Sequence, residues 1–209
     1  MYYSCHNEIE MNWKSKLRQL IDGERWEDAL KFMDEVLESD SHSADSYLNY
    51  SYLLGEILME AEFGTPLLDY CEIKIYQVYK EAMARYSDDV DFLFWQSFLI
   101  TRCDYFYNMD IYDAEEMMYK AYLAKPDDKL YQWARLTVNN GDMDDEDETR
   151  HRGKIKKYIR AMFADEALLK RINEKGPVGE YWLYLCASSL EKSEYNEICR
   201  AHLLPACYC

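Results

Sequence analysis

Apolar residues recur at the spacing of an α-helix along almost the whole chain, and little interrupts them. Only 7 Gly and 4 Pro fall among 209 residues. Short strands need frequent turn residues, so these counts leave too few to punctuate a β-sandwich or barrel. The expected fold class is therefore all-α. Helices are predicted near Met11–Ile21, Trp26–Glu38, Ala44–Glu62, Leu67–Tyr86, Val90–Phe106, Asp113–Ala124 and Lys129–Val138. A long basic helix then covers about Thr149–Glu174 with a break near Asp165, and a last helix runs from Gly179 to about Ala201 with a kink near Ser193. The stops between them are chemically plain. Asp22-Gly23 and Asn139-Asn140-Gly141 end helices, Pro66 suits a first helical turn, and Ser87-Asp88-Asp89 offers an N-cap.

A second pattern lies on top of the periodicity. Ala29, Met33, Val36 and Ser41 are separated by four, three and five residues, as are Ile75, Tyr79, Ala82 and Ser87, and again Ala114, Met118, Ala121 and Pro126. In each set the first three positions share one helix face, and the fourth marks the turn into the next helix. A small residue at the first or third place lets a neighbouring helix approach, and the bulky one between them fills the groove.

This pattern resembles the second helix of a tetratricopeptide repeat. Gly23-Glu24-Arg25-Trp26-Glu27-Asp28-Ala29-Leu30 is similar to the family's turn into that helix, with one extra residue. Tyr47, Tyr50, Ser51 and Leu54 match the first helix, with Ser51 where the family favours glycine; Trp133, Leu136 and Thr137 match its start. The departures are long spacings between repeat starts, 46 and 39 residues against about 34 in the family, and Gln96 where an apolar residue is usual. The resemblance spans about Trp13 to Trp133 and implies antiparallel helix pairs stacked as a right-handed superhelix, closed by a C-terminal helical pair. It also implies a concave groove that holds a partner's peptide or helix. The groove-facing places fall on Asp45, Leu48 and Tyr52, then on Asp91, Phe94, Phe98 and Arg102. Family members that clamp a chaperone's C-terminal carboxylate present Lys and Asn there; Leu48, Tyr52, Phe94 and Phe98 do not, so no carboxylate clamp is expected.

Charge divides the chain. The formal net charge is −16, which opposes binding to a nucleic-acid backbone and favours electrostatic capture of a basic protein. Between Thr149 and Lys175, however, nine Lys/Arg meet three acids, a net of +6, while the rest of the chain carries 15 basic and 37 acidic residues, a net of −22. The basic stretch is expected to pack on the acidic repeat surface of the same molecule. The organisation is thus a helical array over 1–141, an acidic loop over 142–148 and a C-terminal unit over 149–209. Asp144, Asp145 and Asp147 of the acidic loop are expected to touch a basic partner. Of the 20 tyrosines, most should fill inter-helix grooves, leaving an exposed minority near Tyr47–Tyr52 and Tyr105–Tyr112.

Nothing points to a reaction. The chain has no glycine-rich phosphate loop, no Gly-x-Ser-x-Gly elbow and no His-Glu-x-x-His. An EF-hand loop beginning at Asp142 needs Gly at 147 and Glu at 153, where Asp147 and Gly153 stand. The tail holds Cys199, His202, Cys207 and Cys209, but Cys207-Tyr-Cys209 is tighter than a zinc knuckle. No catalytic residue, cofactor or metal is expected. With no signal peptide or membrane span read from the sequence, the expectation is a cytoplasmic protein with its 7 cysteines reduced, a monomer or homodimer. The leading function is a dedicated inhibitor, such as a bacterial toxin immunity protein, that neutralises a basic partner by tight stoichiometric binding. The alternative is a secretion chaperone or scaffold that holds a peptide in the groove.

Overall fold

The computed structural model describes residues 3–39, 43–60, 65–138 and 145–202. These form α1 (Tyr3–Asp22), α2 (Trp26–Glu38), α3 (Ala44–Glu60), α4 (Thr65–Tyr86), α5 (Val90–Cys103), α6 (Ile111–Ala124), α7 (Gln132–Thr137), α8 (Asp145–Phe163), α9 (Glu166–Asn173), α10 (Pro177–Ser188) and α11 (Lys192–His202). A 3₁₀ turn, Asp104–Tyr107, follows α5. No strand occurs among the described residues, and the class is all-α. Neighbours in sequence pack as pairs, α1 on α2, α3 on α4 and α5 on α6, and α3 and α5 also pack on each other.

Local chemistry sets the boundaries. Asp89 caps α5, its carboxylate accepting from the backbone N–H groups of Asp91 at 2.9 Å and Phe92 at 3.2 Å. Asp110 caps α6 through the Tyr112 N–H at 2.9 Å. Asp165 caps α9 through the Leu168 N–H at 3.1 Å, which accounts for the break expected there. Pro177 takes the first position of α10, two residues before the expected start.

Three expectations need correction. The helix from Val90 ends at Cys103, because the 3₁₀ turn tightens the chain and Asn108 adopts a left-handed φ of 50°. The acidic segment is not a loop throughout: Asp145–Glu148 form the first turn of α8, where acids suit the helix dipole. Arg150 pairs with Glu146 and Asp147, and Arg152 with Glu148, one turn on. The last helix is two, α10 and α11, rather than one kinked at Ser193.

The C-terminal helices dictate the rest of the architecture. α10 is buried at Pro177, Val178, Gly179, Tyr181, Trp182, Leu183, Cys186 and Ala187, so it has to be enclosed. It packs on α3, α1, α9 and α11. Gly176 makes the entry turn at φ 76°, against the aliphatic stem of Lys14. At Gly179 a Cβ would sit 2.0 Å from the carbonyl oxygen of Ile172, so only glycine lets α10 approach α9 this closely.

Candidate functional site

The residues expected to line an open groove lie under α10. Leu48 and Phe94 are 0% exposed, and Tyr52 and Phe98 are buried with them. The Tyr181 ring stands 5.2 Å from Tyr52 and 6.2 Å from Phe98, centre to centre. Trp182 meets Trp95 at 6.0 Å and Trp133 at 5.5 Å, edge to face in both cases. The space over these side chains is filled by the chain's own C-terminal helix α10. The reason is energetic: each fully buried side chain of this size contributes about 1.5–3 kcal/mol relative to exposure, and α10 offers a matching apolar face inside the same molecule.

The acids of that face are engaged too. Lys175 pairs with Asp45 at 2.9 Å and also with Asp91, while Lys14 reaches the other oxygen of Asp45 at 2.5 Å. Burial pulls the Lys175 pKa down, but Asp45 and Asp91 outweigh it and leave the ammonium raised above its ordinary value. The Tyr131 hydroxyl donates to Asp91 at 2.9 Å. Arg171 grips Asp128 with both terminal nitrogens, at 2.8 and 2.7 Å. Burial acts to raise the Asp128 pKa, yet the Arg171 bonds prevail and hold it below the usual carboxylate range. Asn49 ties the seam: its amide donates to the carbonyls of Asp45 and Lys175, both at 2.8 Å, and its oxygen accepts from the Val178 N–H at 3.2 Å. A mixed-charge cavity of about 340 Å³ remains among these groups. The expected packing of basic C-terminal residues on an acidic surface is thus met by Arg171 and Lys175.

The other expected contacts scatter. Arg102 is exposed at the edge of a cleft of about 440 Å³ between α5, α6, α7 and α10. Asp147 is exposed and paired with Arg150 at 2.8 Å. Asp145 opens α8, and Asp144 lies outside the described residues, as do Cys207 and Cys209 of the tail. Among the described residues no His, Cys, Asp or Glu cluster is arranged to hold a metal ion, and no helix is long and apolar enough to cross a membrane.

An exposed apolar surface does exist, on the opposite side of the α3–α4 and α5–α6 pairs. Tyr105 of the 3₁₀ turn is 82% exposed, Tyr112 at the start of α6 is 73% exposed, and Ile73 on α4 is 62% exposed. Tyr76 and Ile111 are partly open as well, as is Tyr70, whose hydroxyl donates to Asp34 of α2 at 3.2 Å. A cleft of about 540 Å³ joins α4 to the turn, lined by Glu72, Tyr105, Phe106, Asn108, Met109 and Asp110. Beneath it, ring contacts run from Tyr76 to Tyr79 at 6.5 Å and from Tyr79 to Tyr107 at 5.5 Å. The chain matches no family model, and neither the curated proteins nor the solved structures yield a match.

Of the two tyrosine groups expected to be exposed, Tyr105–Tyr112 is so at both ends, though Tyr107 is buried. Tyr47, Tyr50 and Tyr52 are buried, a correction that follows from the closure of the inner face. The α4 contribution was missed. Its signal was a second apolar stripe, Tyr70, Ile73 and Tyr76 at threefold spacing, beside the core stripe of Cys71, Ile75, Val78 and Ala82. The two departures from the repeat pattern also find a setting: Ser51 and Gln96 are both fully buried and converge on the Tyr107 hydroxyl, whose pKa burial pushes well up.

Proposed function

We propose that the protein works by binding, as a dedicated inhibitor that holds a basic protein in a tight stoichiometric complex, in the manner of a bacterial toxin immunity protein. In this reading the helix pairs are degenerate tetratricopeptide-like repeats acting in the cytoplasm, and the partner is met on the outer face. One observation carries it. A strongly acidic molecule of net charge −16 leaves large aromatic side chains standing in water on the face of α4, the 3₁₀ turn and α6. Exposed tyrosines supply contact area at low entropic cost, and surrounding negative charge steers a positive partner onto them. The alternative, a secretion chaperone or scaffold gripping a peptide in the concave groove, finds that groove occupied by α10.

The test is capture with the tagged full chain from its native lysate, elution along a salt gradient, and native mass spectrometry of the complex. The expected result is one basic partner in a 1:1 complex retained to high salt, with any activity of that partner suppressed when bound. Several partners released early and sharing a short segment would instead establish the chaperone reading.

A further inference from the structure

We infer that the cleft between α4 and the 3₁₀ turn is a receptor for a single arginine or lysine side chain presented by the partner protein. The inference rests on the binding function proposed above and assigns its contact point.

The lining has the composition that a cation needs. Glu72 and Asp110 supply carboxylates, Tyr105 and Phe106 supply ring faces, Met109 supplies a polarisable thioether, and no Lys or Arg is present. The surrounding sequence is just as one-sided. From Arg102 to Lys120 there are five acids, Asp104, Asp110, Asp113, Glu115 and Glu116, with no basic residue between the two ends. Away from this face the chain's own cations cover its aromatic rings: Lys16 lies 4.0 Å from the Phe32 ring centre, Lys74 5.5 Å from Tyr50, and Arg171 and Lys125 each 5.7 Å from Tyr131; on the face itself Lys80 lies 5.8 Å from Tyr76. Among the described residues no cation covers Tyr105 or Tyr112, and Glu72 makes no ion pair.

The turn that holds these groups is built in advance. The Asp104 carboxylate accepts from the Tyr105 N–H at 2.9 Å. The Asn108 N–H donates back to the carbonyls of Asp104 and Tyr105, while Asn108 takes the left-handed conformation that Asn tolerates. Asp110 caps α6 with one oxygen, at 2.9 Å from the Tyr112 nitrogen, and lies exposed at the cleft. A receptor fixed before the ligand arrives loses little entropy on binding. The cleft is large enough for the side chain and the backbone around it, which suits a protruding residue of a folded partner.

The probe is a capped pentapeptide with one central arginine, Ser-Gly-Arg-Gly-Ser, compared with the same peptide carrying lysine or the neutral isostere citrulline. Binding is followed by methyl NMR of the full chain. The expected result is saturable shifts at the Met109, Ile73 and Ile111 methyls with arginine and lysine, and none with citrulline. The double variant Glu72→Gln, Tyr105→Ala should weaken this by about tenfold, with an unchanged thermal midpoint because both side chains are exposed. Shifts that do not saturate, that spread equally to Met33 and Met118 in the core, or that persist in the double variant overturn the inference. A captured partner that holds the double variant as tightly as the wild-type chain overturns it too, while leaving the inhibitor reading intact. Saturable peptide binding without a stoichiometric partner supports the cleft and sinks the inhibitor reading.

Discussion

The inner and outer faces of the helix pairs are made from the same materials, tyrosines and carboxylates, and they have opposite fates. On the inner face Asp45, Asp91 and Asp128 are matched by Lys14, Lys175 and Arg171, and Tyr52 is covered by Tyr181. On the outer face Glu72 and Asp110 face water beside Tyr105. A surface of aromatic rings with acidic edges is therefore no sign of a binding site until the chain's own complementary segments have been placed. What remains uncovered after that is the better guide to function.

The comparison can be broken most forcefully at the plug. Trp182→Ala removes the ring shared by Trp95 and Trp133, and the expected loss is about 3–5 kcal/mol of stability by urea denaturation. Gly179→Ala comes next. Its Cβ would press on the Ile172 carbonyl at 2.0 Å, so a loss of about 1–3 kcal/mol is expected from overpacking, with α10 more open to hydrogen exchange. Lys175→Met leaves Asp45 with Lys14 and Asp91 with Tyr131. Because those partners remain, the expected loss is smaller, about 1–2 kcal/mol.

Acid sharpens the contrast without mutation. The Asp128 pKa is lowered in the folded chain from 3.8, so its contribution is present in full above that value and fades as the pH falls through the folded pKa. Lys175 is raised above 10.5, so its contribution is complete below that value and is lost as pH rises through the folded pKa. Protection at α9 and α10, taken relative to the intrinsic amide exchange rate at each pH, should therefore fall at both extremes and hold between them. The smallest effect is expected outside: Tyr105→Ala and Tyr112→Ala should each change stability by less than about 0.5 kcal/mol, while weakening partner capture.

The helices were legible because their signals are local. The 4-3-5 spacing located Ala29, Ile75 and Ala114, all of which are fully buried; the N-cap read at Ser87-Asp88-Asp89 marked the start of α5, and the break read near Asp165 falls where Asp165 caps α9. Closure of the groove was not legible, since it depends on Tyr181 and Trp182 meeting side chains about 50 to 130 positions away, a contact that no periodicity encodes. The charge asymmetry hinted at it, but pointed to the whole basic stretch. In the structure most of α8's cations serve acids of α8 and of the segment beginning at Glu191, and only Arg171 and Lys175 reach the inner face. The outer site was half legible. Tyr105 and Tyr112 stood out by composition, whereas Glu72 joins them only through the packing of α4 against the turn.

Hydrogen exchange of the full chain, alone and saturated with its captured partner, tests the division between the faces most directly. Binding on the outer face predicts new protection over residues 66–77 and 104–112, with 45–54, 91–98 and α10 unchanged. Protection that appears instead on the inner segments, together with faster exchange in α10, would show the partner displacing the C-terminal helix and would contradict the account.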